Sequence, residues 1–294
     1  TDGIAVGSNA GAVTISAPVI LGSNQTWSVD GTGANGSALT VSGAITGSSS
    51  LNIGGLVTIS SANGTTTYSG PTTVNDGGIL QGGAGNSLSA NSTVTVNANG
   101  ILRLNGSNNA IGSLAGSGFV ENNAATGATL TAGTDGTDTT FSGILRNGST
   151  ANLGFTKTGI GRLTLSGSNT HTGATTVNGG VLAMGSSTAL NASNPITLTS
   201  TGTFDLNGFS VSTGAITSTD VLSTITNSST STAPSTATSL NTPTGEGVYV
   251  DAINNASTGA ISALITDGAT RKTQIVFNNQ NSNPRLANAS NSFT

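Results

Sequence analysis

One stretch of this chain occurs twice. Residues 157–185 read KTGIGRLTLSGSNTHTGATTVNGGVLAMG, and residues 56–83 read LVTISSANGTTTYSGPTTVNDGGILQGG. Val57-Thr58-Ile59-Ser60 aligns with Leu163-Thr164-Leu165-Ser166, and Thr72-Thr73-Val74 with Thr175-Thr176-Val177. Tyr68 falls opposite His171, and Gly78-Ile79-Leu80 opposite Gly180-Val181-Leu182. Each copy alternates apolar residues with Thr or Ser over three or four positions, the period of a strand, and breaks at GSN, HTG or NGG, where φ can turn positive. Strands this short bury too little to fold alone. A unit that repeats is stabilised by its neighbours, so the chain is constrained to a stacked, quasi-one-dimensional architecture.

The likeness extends beyond the two copies. STVTVNANGILRLNG (92–106) matches NPITLTSTGTFDLNG (194–208), and AIGSLAGSG (110–118) matches VSTGAITS (211–218). A third copy begins near Ile261, where ISALITDG resembles FSGILRNG (141–148) and RLANASNSFT (285–294) resembles RLTLSGSNTHT (162–172). Tyr68 lies 103 positions before His171, while His171 lies 122 before Phe293. The excess is expected in 219–245, where Ser and Thr crowd around Pro234 and Pro243 and alternation fades, as in a loop protruding from one rung. The prediction is all-β: a right-handed parallel β-helix (solenoid), a single elongated domain over 1–294. Its repeats fall at about 39–138, 139–218 and 258–294, with 219–245 a Ser/Thr/Pro-rich loop insertion. A dozen or so rungs follow if each takes about 20–25 residues. Val, Ile and Leu of the LTLS, TTV and VLAM strands are expected inward, and Thr, Ser and Asn outward. No helix is expected, because no 3.6-residue period survives.

These residues resemble the autotransporter-associated β-strand repeat: a Gly-rich lead-in, a Leu-Thr-Leu strand, an Asn-Thr-aromatic-Thr-Gly turn, then Thr-Thr-Val, Gly-Gly and a Leu-containing strand. The match is close at 157–185, good at 56–83 and partial at 285–294. His171 in the aromatic slot and Pro71 in place of a small residue are departures. The resemblance implies a parallel β-helix in the passenger of a secreted bacterial surface protein, and names no ligand.

Composition bears on the stack. Charged residues are 6% of the chain, against about a quarter in ordinary globular proteins. In-register stacking sets equivalent side chains about 4.8 Å apart, where like charges repel and Thr, Ser or Asn ladders hydrogen-bond. Whole-chain disorder is disfavoured by a net charge of only −4 and a mean hydropathy of +0.07. Cys is absent, so stability has to come from the stacked core rather than disulfides. Seven Lys and Arg with a pI near 4.6 argue against nucleic-acid binding. No apolar run long enough to span a bilayer as a helix occurs, so no membrane insertion is expected within this segment.

The inventory leaves little for catalysis. A Ser-His-Asp triad would have to use His171, the one His, yet that slot holds Tyr68 in the other copy and asks for a flat ring. Glycoside cleavage needs a pair of carboxylates across a cleft. Asp205, opposite Arg103 of the first copy, is the best isolated acid and has no evident second acid beside it. Asp135 and Asp138 in GTDGTD fit neither an EF-hand loop nor a calcium nonapeptide and read as a solvated turn. Asp30, Asp76 and Asp220 read as turn formers. Trp27, the one Trp, is a sugar-stacking platform if exposed, and a core or covering side chain otherwise. The pairs Gly54-Gly55, Gly77-Gly78 and Gly179-Gly180 form no phosphate loop. No catalytic, cofactor-binding or metal-binding residue is assigned, and no cofactor.

The expected function is therefore non-enzymatic: an extracellular structural β-helix, secreted or held at a bacterial cell surface as a stalk or adhesin passenger segment. The alternatives are a subunit of a self-assembling extracellular fibre or sheath, and a glycan-binding or glycan-cleaving β-helix. Expected partners are neighbouring repeats of the same or an identical chain, surface glycans or a host surface.

Overall fold

The structure, a computed structural model, describes residues 2–30 and 37–228, and beyond them the segments 248–252, 260–261, 264–266, 273–277 and 285–286. Among these residues all regular structure is β-strand, and every strand pairing is parallel. The chain winds through three faces in turn. The first is one 12-stranded sheet, running from Asp2–Val6 through Thr72–Val74 and Arg162–Leu165 to Leu264–Ile265. The second holds a 7-stranded sheet that starts at Ala12–Ile15 and later a 3-stranded sheet that starts at Val211–Thr213. The third holds a 2-stranded sheet, Val19–Leu21 with Ile45–Gly47, and then an 8-stranded sheet that starts at Asn109–Ile111. Away from the sheet ends, each strand thus pairs with the equivalent strands one turn before and after, so edge groups of one coil are satisfied by the next.

Inward positions stack as ladders. On the first face Trp27, Ile53, Val74 and Val96 lie in register, and Gly116, Phe141, Leu165 and Met184 continue the column. Every side chain in it is buried. Gly116 is required there: its φ is +104°, and a Cβ would overlap the Val96 carbonyl oxygen. The expected inward placement of Leu165 and Val177 is observed, both 0% exposed. Parity then turns the alternate residues out, as with Thr73, Thr95 and Thr164.

The expectation that Thr, Ser and Asn face outward holds along the strands and fails at their ends and at the corners. Thr72 and Thr175, the first Thr of each TTV, are fully buried, as are Asn122 and Ser92, and Asn109 is almost so. Backbone direction changes there, and a short polar side chain satisfies the amides that leave the ladder. Asn109 Oδ1 accepts from the Ser87 and Leu88 amides, and its Nδ2 donates to the Ala84 and Ser107 carbonyls.

Two rungs of each copy carry no strand on one face. In the first copy they lie on the third face, where Thr67 N donates to Ile45 O and Asn91 Nδ2 to Thr67 O. In the second copy they lie on the second face: Thr170 N donates to Leu145 O, and Asn191 Nδ2 to His171 O. Asn169 bridges there, accepting from Leu145 N at 2.7 Å and donating to Ala189 O at 2.7 Å. Every matched strand shifts the same way. Leu56–Ile59 is on the second face and Arg162–Leu165 on the first, while Thr72–Val74 is on the first and Thr175–Val177 on the third. One repeat is a whole number of turns less one side, so successive copies are rotated by a face. The short strands Leu264–Ile265 and Arg285–Leu286 are displaced from Ile144–Gly148 and Arg162–Leu165 in the same sense. Phe293 and most of the loop expected at 219–245 lie outside the described residues.

Candidate functional site

The aromatic slot of the repeat is a buried hydrogen-bonding position. Tyr68 Oη lies 2.6 Å from Thr72 Oγ1, which lies 2.8 Å from Ser92 Oγ, and Ser92 donates on to Gly70 O at 2.7 Å. In the second copy His171 Nε2 lies 3.0 Å from Thr175 Oγ1, and Asn194, the counterpart of Ser92, donates to Gly173 O at 2.6 Å. Burial raises the Tyr68 hydroxyl above its usual range, with the Thr72 and Ser92 hydrogen bonds opposing. Burial also pushes the His171 imidazole down to about 4, a backbone interaction with Leu145 opposing. His171 is 0% exposed, closed to any substrate, and among the described residues no carboxylate bonds it. Trp27 is likewise fully buried, its Nε1 donating to Gln25 Oε1 at 2.8 Å, so it is a core rung and not a sugar platform.

Three of the arginines are held in ion pairs. On the second face Arg103, Glu121 and Arg146 occupy one outward column on successive rungs. Glu121 accepts from Arg103 Nε at 2.8 Å and from Arg146 Nη2 at 2.6 Å, and the Arg146 guanidinium lies 4.1 Å from the Phe119 ring centroid. Alternating sign is what in-register stacking demands of charges. Asp205, the acid singled out in the sequence, is 1% exposed on the first face. Its Oδ2 meets Arg162 Nη1 at 2.8 Å, its Oδ1 accepts from the Asn207 and Ser228 amides, and Ser228 Oγ also bonds it. It faces no second carboxylate.

Three further acids accept from backbone amides. Asp135 accepts from the Thr137 amide at 3.0 Å and from the hydroxyls of Thr137 and Thr93, and its carboxyl sits below the usual range because those hydrogen bonds outweigh partial burial. Asp138 caps Arg162 N at 2.7 Å, and Asp220 caps Leu222 N at 2.9 Å. Among the described residues no three His, Cys, Asp or Glu side chains come close enough to hold a metal.

Lys157 was missed. It is 1% exposed and stands in an inward column between Ala132 and Val177. Nζ donates to the carbonyls of Thr158 at 2.6 Å, Gly159 at 3.2 Å and Gly179 at 3.3 Å, which uses all three of its protons. Burial lowers its pKa to about 8, with Asp138 and Asp135 pulling it back. The signal was present: counting by two from Phe155 puts Lys157 inside.

The fold and these groups define a parallel β-solenoid in which the buried charged side chains described above are engaged in holding its own coils together. Residues 39–81 and 155–184 match the family described as the passenger-associated-transport-repeat, in agreement with the resemblance of these segments to the autotransporter repeat. No curated protein and no solved structure matches the chain.

Proposed function

We propose that this chain is a non-enzymatic stretch of an autotransporter passenger, a rod that holds material away from a bacterial surface. The observation that carries the reading is the unbroken first face, 12 parallel strands long, to which both family-matched segments contribute strands. Rigid extension is what such a stack provides. Some side chains shared by the two copies, including Thr72 and Thr175, Val74 and Val177, are buried, while others, including Thr73 and Thr176, Asn75 and Asn178, face outward. The repeat therefore writes the core and part of the outward surface, and any adhesion to surface glycans or a host surface belongs to outward residues. Arg103, Arg146 and Arg162 are each ion-paired, which leaves little for an enzyme to use.

Electron microscopy of the purified chain tests the reading. Single short rods support a stalk, long filaments would move the reading to a self-assembling fibre or sheath, and reducing-sugar release from polysaccharides would replace both with a glycan-cleaving role.

A further inference from the structure

The third face differs from the other two in what it shows to solvent. Its outward column over five successive rungs is Thr131, Thr156, Thr176, Thr197 and Thr217. Backbone hydrogen bonding runs one residue past the strands, from Thr158 N to Ala132 O, Asn178 N to Lys157 O, Thr199 N to Val177 O and Thr219 N to Leu198 O. A second outward column, Thr158, Asn178, Thr199 and Thr219, thereby stays in register with the first. Each rung from Thr156 onward presents Thr-x-Thr or Thr-x-Asn. The rows are about 4.8 Å apart along the axis, and the two columns about 6.7 Å apart along the strand.

Three further observations limit what such a face can meet. No charged side chain points outward from its strands between Asn109 and Ser218; the one charged residue in them, Lys157, is turned inward. The Thr131, Thr156 and Thr176 hydroxyls make no hydrogen bond to the described residues, whereas those of Thr197 and Thr217 lie 3.3 Å apart. The exposed large apolar residues of the described chain all lie on this face or its trailing corner: Ile20 at 72%, Ile160 at 89%, Val221 at 62% and Leu222 at 66%. A charged partner would gain nothing from it, and a sugar ring would find no aromatic to stack on. A second copy would set hydroxyl rows against hydroxyl rows under its own methyl groups.

We propose that the threonine columns of the third face bind the surface of ice. Hexagonal ice carries oxygen rows whose repeats along two perpendicular axes are close to the two spacings of this array. The Thr131, Thr156 and Thr176 hydroxyls each offer one donor and two acceptor sites to that lattice. The Thr199 and Thr217 hydroxyls donate within the array, to Asn178 Oδ1 and Thr197 Oγ1, and the methyl groups between the hydroxyls order the adjoining water. The coils fix the array before contact, so little side-chain freedom is lost on binding. The role is independent of whether the rod is tethered to a cell.

The test uses the full chain and pure ice. The protein is expected to partition into a slowly growing ice front and to suppress recrystallisation. Thr176→Lys combined with Thr197→Lys should reduce both to the level of a non-binding control protein. Thr40→Lys, on the second face, should change neither, and circular dichroism should show all three chains equally folded. Exclusion of the natural chain from ice overturns the proposal, as does full ice partition by the double variant. Preferential binding to crystalline cellulose or chitin, or a dimer broken by the same double variant, overturns it in favour of those occupants.

Discussion

The two family-matched copies share a backbone and differ in what they bury. At the rung beneath Val74 the first copy places Ile53; at the rung beneath Val177 the second places Lys157. The first has Tyr68 in the aromatic slot and the second His171, each within reach of the buried Thr four residues on. The corner explains how the second copy tolerates an ammonium. Two residues, Gly54 and Gly55, separate Ile53 from the next strand at Leu56, whereas 158–161 separate Lys157 from Arg162. The longer corner turns the Thr158 and Gly159 carbonyls onto Nζ. Stacking thus dictates backbone register strictly and side-chain polarity loosely, provided that a buried charge finds partners, as Lys157 does; Asn194 Oδ1 in the second copy is buried with none among the described residues.

The strongest attempt to erase that difference is Ile53→Lys. Without the longer corner the ammonium has no carbonyl cage, and the variant should lose about 5 kcal/mol, close to unfolding the first copy. Chemical denaturation checks it, and a loss below about 1 kcal/mol would show that the corner is not the cause.

His171 supplies the next effect. Its imidazole titrates near 4 in the fold against an ordinary 6.5. Above pH 6.5 it is neutral folded or unfolded; below that the unfolded chain takes the proton first. Stability should fall by about 3 kcal/mol as pH drops from 6.5 to 4, and no further from this group below that. His171→Tyr, which restores the first copy's residue, should flatten the dependence, as read by denaturation at stepped pH.

Lys157→Met should cost about 2 kcal/mol by leaving three carbonyls without a donor. The pKa near 8 carries a sign as well. Between about pH 8 and 10.5 the unfolded chain holds the extra proton, so stability of the natural chain rises with pH there, and the variant should lack that rise. The smallest effect is Tyr68→Phe, about 1 kcal/mol for one buried hydrogen bond, detectable as faster amide exchange around Thr72.

Strands and inward aliphatic residues were legible in the sequence, since Leu163-Thr164-Leu165 and Thr175-Thr176-Val177 alternate with period two and the structure returns those strands. The face that each strand occupies was not. The repeat and the turn do not divide evenly, and only pairing shows that Thr72–Val74 and Thr175–Val177 lie on different faces. The ion pairs were equally hidden: Arg162 and Asp205 stand two rungs apart, a proximity that depends on the number of residues in each turn. Buried Thr72 and Asn109 escaped because polarity alone points outward, while corner amides need partners inside.

Coil-on-coil stacking can be measured directly with spin labels. Thr26, Thr95, Thr164 and Thr226 share one outward column of the first face, each three rungs from the next. Cysteines introduced in pairs from position 26 to 95, 164 and 226 should give electron–electron distances centred near about 14, 29 and 43 Å. Equal increments are the predicted result. Distances that fail to grow with each step would contradict the solenoid.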